Sequence, residues 1–142
     1  GEPSDADHRM LKQLGVEYST QSKLTDAEMQ EAYATSDLLL FTSTLEGFGM
    51  PILEAQMVGL PVITSNIEPM NKVAGDGAEL CDPLDSNAIR GCIKRVTSNA
   101  QLRSSLIQKG TANCRRFSPE ESARMMHQLY MKIKNENTHA QP

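Results

Sequence analysis

An apolar run from Leu38 to Phe41 leads into Glu46-Gly47-Phe48-Gly49-Met50-Pro51-Ile52-Leu53-Glu54. Gly59-Leu60-Pro61 and a second short apolar run follow. This order constrains the fold more than any other feature of the chain. Pro51 marks the start of a helix, where its missing N–H is least costly. The pattern therefore predicts strand, glycine loop, helix, turn and strand. α/β proteins use that arrangement to hold an anionic ligand at a helix N-terminus. The two carboxylates bracketing the loop indicate a ligand that carries hydroxyls as well as phosphate.

A chain of 142 residues supports one core and is short for two ordinary domains. Hydrophobic residues at 39% and charged residues at 23% describe a soluble globular domain. The net charge of −4, without a basic stripe, argues against a nucleic-acid partner. Cys81, Cys92 and Cys114 are scattered and odd in number, which suits reduced, partly buried thiols and a cytoplasmic location. No apolar run approaches the roughly 20 residues of a membrane span, and the polar, acidic N-terminus does not resemble a signal peptide. Gly1-Glu2-Pro3-Ser4 reads as the turn after a strand. The chain is accordingly expected to be a fragment.

Caps and periodicity give a coarse map. A helix is predicted from Asp5 to Leu14, capped by Ser4 and ended by Gly15, with a short strand at Val16-Glu17-Tyr18. Thr25-Asp26-Ala27-Glu28 is a capping box that opens a helix to about Ala34. Asp37 to Ser43 is predicted as a strand buried on both faces, Pro51 to Val58 as a helix, and Pro61 to Ser65 as a strand. Asn66 to Asp76 has room for one short helix, and Ala78 to Cys81 is a last strand. Asp85 caps a helix with apolar Ile89, Cys92, Ile93 and Val96 at helical spacing. A further helix spans about Ala100 to Ala112. The last one opens at Ser118-Pro119-Glu120-Glu121 and runs to about Lys134. The alternation predicts an α/β fold, a Rossmann-like parallel sheet with helices on both faces, and only four strands are readable. Residues 1–134 form the expected lobe, and 135–142 an expected disordered tail.

Gly47 and Gly49 let the backbone approach a ligand and adopt positive φ. Free N–H groups there and in the turn after Pro51 make an anion site, helped by the helix dipole. Glu54 lies one turn into the helix and leans back toward its N-terminus. Its two acceptor oxygens suit the paired hydroxyls of a ribose. Glu46 stands at the carboxyl end of the strand, where open α/β sheets bind ligands. Loop and spacing alone also fit a plain structural turn, since a glutamate near a helix N-terminus is favourable in itself.

The segment Ser43-Thr44-Leu45-Glu46-Gly47-Phe48-Gly49-Met50-Pro51-Ile52-Leu53-Glu54-Ala55, followed by Gly59-Leu60-Pro61-Val62-Ile63, resembles the E-x7-E signature of retaining GT-B glycosyltransferases of the "group 1" family. The resemblance extends over roughly residues 1 to 130. It takes in Leu14 to Tyr18, the Thr25-to-Tyr33 helix and Ser36 to Phe41 before the signature. Val73 to Pro83 follows it. The resemblance implies the C-terminal, donor-binding lobe of an enzyme that moves a sugar from a nucleotide-diphosphate-sugar to a polysaccharide, glycolipid or glycoconjugate acceptor. Glu46 would be the catalytic residue at the donor sugar. Gly47, Phe48, Gly49, Met50 and Pro51 would border the sugar and phosphate, and Glu54 would hold the ribose. Gln21, Ser22 and Lys23 correspond to the region that meets the nucleobase. No metal and no cofactor beyond the donor is implied.

The resemblance also has gaps. The basic pair that grips the diphosphate belongs to a first strand and helix that would precede Gly1. So does the N-terminal lobe that supplies the acceptor site and any peripheral membrane contact. The chain alone is thus expected to be inactive, with a sheet lacking its first strands. It would re-pair those edges, self-associate or be part of a larger molecule. Asn71-Lys72 stands where the family commonly has Pro-Glu. A non-catalytic nucleotide-sugar-binding or interaction module, or a same-fold epimerase or sugar phosphorylase, remains open. Asp5-Ala6-Asp7 resembles a metal-binding pair, yet its place in a first helical turn favours dipole stabilisation. His8, His127 and His139 are dispersed, the methionines read as core filler, and Arg115-Arg116 reads as an exposed loop pair.

Overall fold

The computed structural model describes residues 3–138. Its chain divides into two compact units, Gly1–Ala32 and Tyr33–Pro142.

In the first unit, α1 spans Asp5–Gln13. Ser4 and Asp7 close a reciprocal capping box at its start, with the Asp7 carboxylate accepting from the Ser4 N–H and hydroxyl at 2.8 and 2.7 Å. Gly15, at φ 65°, ends the helix. The Gly15 N–H returns to the Lys12 carbonyl and the Val16 N–H to that of Leu11, the paired bonds of a Schellman turn. Here the structure corrects the expected strand at Val16–Tyr18. Those residues are irregular, because Val16 spends its N–H on the helix end and a strand exists only through a laterally bonded neighbour. The chain then enters α2, Asp26–Thr35. Glu28 accepts from both the Thr25 N–H and hydroxyl at 2.7 Å, as the capping box requires.

The second unit carries a parallel sheet in the order β1 (Leu39–Phe41), β2 (Val62–Ser65), β3 (Ala78–Cys81) among the described residues. Leu39 aligns with Val62, and Val62 with Ala78. The α/β class with a parallel sheet is therefore as expected, with three strands in place of four. Between the strands lie α3 (Met50–Met57), α4 (Met70–Ala74) and a 3-10 turn at Gly75–Gly77. After β3 come α5 (Ser86–Ser98), capped by Asp85 as predicted, and α6 (Ala100–Cys114), capped by Asn99. A 3-10 turn at Arg115–Phe117 leads into α7, Pro119–Thr138. α7 thus passes the predicted end at Lys134, and residues 139–142 of the expected tail lie outside the described residues. No helix among the described residues is long and apolar enough to cross a membrane.

The period of two along β2 builds two cores. Val62 points into a cluster with Ile52, Leu53, Ala55, Leu60, Met70, Val73 and Ala74, drawn from α3, the turn after it and α4. Ile63 points the other way, into Cys81, Cys92, Val96 and Leu106 from β3, α5 and α6. Helices thus cover both faces of β2, whose four residues are all buried. β1 differs from the expectation of burial on both faces. It is one of the two edge strands among the described residues, and Leu40 is 43% exposed because α5 packs over β3 rather than over β1.

A polar seam joins α3 to α6. Buried Gln56 donates to the Ala74 carbonyl at 2.9 Å, and Asn113 donates to Gln56 Oε1 at 2.9 Å and to the Val73 carbonyl at 2.8 Å. Arg116 donates to Asn113 Oδ1 at 2.7 Å and lies over the Phe117 ring. Glycines make the seam possible. A Cβ on Gly77 would stand 2.4 Å from the Gly110 Cα, so turn and helix meet backbone to backbone.

Candidate functional site

The carboxyl ends of β1 and β2 are tied together by side chains. Buried Thr64 donates its hydroxyl to the Phe41 carbonyl at 2.8 Å, and buried Ser65 donates to the Ser43 carbonyl at 2.6 Å. The first of these bonds adds to the short ladder and the second carries it past the end of β1. Together they place the start of the loop that carries Glu46. Ser43 closes a local turn, its hydroxyl accepting from the Leu45 N–H at 3.4 Å.

From there Glu46, Gly47, Phe48 and Gly49 lead directly to the N-terminus of α3. Gly49 is the N-cap, at φ 99° and ψ 42°, a conformation that glycine adopts without strain. A Cβ there would also sit 3.2 Å from Ile52 Cδ1. The expectation of positive φ holds at Gly49 and fails at Gly47, whose φ lies outside the left-handed region. Gly47 instead has an open face: a Cβ would meet nothing within 4 Å. Pro51 lies in the first turn, as predicted, and no side chain among the described residues caps the helix. The positive end of the α3 dipole is therefore not offset by a side-chain cap among the described residues.

Glu46 and Glu54 are both half-buried. Glu54 has a partner that the sequence did not suggest: the Tyr33 hydroxyl donates to its Oε2 at 2.8 Å. Burial foremost, and then the adjacent Glu54 carboxylate, pushes the Tyr33 phenol well above its ordinary value. Beside Glu54 lies a cavity of about 400 Å³, lined by Phe48, Met50, Leu53, Met57, Cys114 and Phe117 among others. Phe48 rests edge-on against Phe117, with ring centroids 5.7 Å apart. Gln21, Ser22 and Lys23, the expected nucleobase region, are exposed residues of the first unit, Lys23 at φ 58°.

Other candidates resolve into local structure. Asp7 of the Asp5-Ala6-Asp7 pair is engaged by Ser4. His8 stacks on Tyr18 and shares a short hydrogen bond with it. Arg116 belongs to the polar seam rather than to a free loop pair. At the Asn71-Lys72 departure, Asn71 Oδ1 is buried without a hydrogen-bond partner among the described residues, and Lys72 forms an exposed ion pair with Glu68 at 3.7 Å. Thr64, Ser65, Gln56 and Tyr33 escaped sequence reasoning. Their only signal was a polar group set among apolar neighbours in a strand or a helix.

Fold and loop together define an α/β protein with a glycine loop and an uncapped helix N-terminus at the carboxyl ends of parallel strands. The chain belongs to the family described as "Glycosyl transferases group 1", which residues 8–113 match. It is 35% identical over 95 residues to the O-antigen chain mannosyltransferase B of Escherichia coli, covering 67% of this chain and 25% of that protein. A sucrose-phosphate synthase structure from Thermosynechococcus elongatus aligns at TM-score 0.71 and 23% identity, covering 91% of this chain and 34% of that one. A HepE structure from Anabaena in complex with UDP and glucose aligns at TM-score 0.70 and 21% identity, covering 91% and 35%. The chain spans about a quarter of the length of the Escherichia coli mannosyltransferase and of curated relatives from Mycolicibacterium hassiacum and Corynebacterium urealyticum.

Proposed function

We propose that this chain is the donor-binding lobe of a retaining GT-B glycosyltransferase that takes a sugar from a nucleoside-diphosphate-sugar. The observation that carries the reading is the junction of Gly49 with α3, a left-handed glycine turn opening an uncapped helix N-terminus, with Glu54 held one turn later. In this reading the N-terminus of α3 receives the diphosphate. Its fixed dipole stabilises the charge that builds on the departing phosphate as the glycosidic bond breaks. Glu46 reaches the donor sugar from the strand end, Gly47 leaves room for it, and Glu54 accepts the ribose hydroxyls. The acceptor, a carbohydrate or glycolipid, is met by the remainder of the enzyme. The mannosyltransferase relatives and the UDP-bound structures support a hexose donor of this class.

Titration calorimetry with UDP and GDP on the intact protein tests the reading. Glu54→Gln should cost about 1–3 kcal/mol of nucleotide binding, the scale of a hydrogen bond to a charged group. Unchanged affinity in the variant, or no binding of either nucleotide to the wild type, would overturn it.

A further inference from the structure

Tyr33 is the residue whose role the donor-site reading leaves unassigned. Its ring packs against the cluster formed by Ile52, Leu53, Ala55 and Val62. Its hydroxyl meets Glu54 Oε2 at 2.8 Å. We infer that Tyr33 is a positioning residue for the nucleotide: by holding Glu54 Oε2 it turns Oε1 and the remaining lone pairs toward a vicinal diol of the ligand. This inference rests on the donor-site reading of Glu54.

Three physical points carry it. A glutamate side chain has several torsions, and fixing them costs on the order of 1–2 kcal/mol of rotamer freedom. An anchored ring that bonds one oxygen meets that cost before the ligand arrives. A carboxylate offers about four lone-pair sites, so one phenol leaves enough acceptors for two ligand hydroxyls. A phenol also donates without bringing positive charge. An Arg or Lys at this place would instead neutralise the carboxylate and compete for both its oxygens. A phenol is protonated throughout the neutral range, and burial here pushes it further up, so Tyr33 stays a donor.

The experiment is calorimetry on the intact protein with UDP, GDP and their 2′-deoxy counterparts, comparing wild type, Tyr33→Phe, Glu54→Ala and the double variant. Tyr33→Phe keeps the ring and removes only the hydroxyl. It should weaken binding of the ribonucleotides by about tenfold, the scale of a coupled hydrogen-bonded pair. It should also narrow their advantage over the deoxy forms, and should cause no further loss once Glu54 is Ala. A purely structural Tyr33 would weaken both backgrounds by the same factor and leave the ribose preference intact. That result, or unchanged affinity in Tyr33→Phe while Glu54→Ala weakens binding, overturns the positioning role and leaves the donor site standing. Unchanged affinity in Glu54→Ala overturns both.

Discussion

The two units of this chain hold their structure by different means. In residues 1–32, α1 has no buried residue, and neither does the part of α2 that falls in this unit. Their ends are closed by reciprocal caps at Ser4 and Thr25 and by the Schellman turn at Gly15. In residues 33–142, two apolar cores flank β2, and a polar seam of Gln56, Asn113 and Arg116 locks α3 to α6. The first unit is written in local hydrogen bonds between residues a few positions apart. The second depends on contacts between residues as many as 61 positions apart. Helices held mainly by caps should open locally, whereas a cored unit opens only with global unfolding.

Glycine substitution should show the sharpest contrast. Gly77→Ala drives a methyl into the Gly110 backbone at 2.4 Å and should cost about 3 kcal/mol or more in a denaturant melt, the upper range for overpacking. Gly15→Ala meets open space and pays only for its positive φ, about 1 kcal/mol. Equal costs at the two sites would erase the distinction. Thr25→Ala is the next test. Loss of the cap should weaken α2 by about 1 kcal/mol. The loss should appear as faster amide exchange in the first turn of α2, with protection in β2 unchanged. The effects of pH should have opposite signs in the two units. Burial foremost, with Cys92 beside it, raises the Cys81 thiol from 9.0 to about 11. Its contribution to stability is whole below pH 9 and is lost as the pH rises toward 11, because the unfolded chain ionises first. The Asp7 and Glu28 carboxyls are held low by hydrogen bonds from Ser4 and Thr25. Their contribution is present above the ordinary carboxyl range and is lost as the pH falls. Exchange measured across pH should therefore loosen the second unit in alkali and the first in acid. Replacing Cys81 by Val should flatten the alkaline limb.

The same contrast explains what could be read from the sequence. Ser4, Thr25, Asp85 and Ser118 all begin helices where predicted, because a cap and its helix lie within four residues. β3 matches the predicted Ala78–Cys81 without error. The strand expected at Val16 failed because its fate depends on a neighbour that no local pattern reveals. Gln56 and Glu54 are the two polar residues of a largely apolar helix, and nothing local marks Gln56 as buried. Only the approach of Gly110 and Asn113 from α6 makes it a core residue. At the candidate site, Glu46, Gly49, Pro51 and Glu54 were legible because loop and helix are consecutive. Tyr33 was not, since 21 positions separate it from Glu54.

The hydroxyls of Thr64 and Ser65 have a consequence for variation. They grip the carbonyls of Phe41 and Ser43, and a carbonyl is present whatever side chain those positions bear. The start of the Glu46 loop is thus berthed by its neighbour's side chains as well as by its own Ser43 turn. These two bonds do not depend on which side chains Phe41 and Ser43 bear, provided β2 keeps its two small alcohols. Within this fold, the address of the loop is stored one strand away from the loop itself.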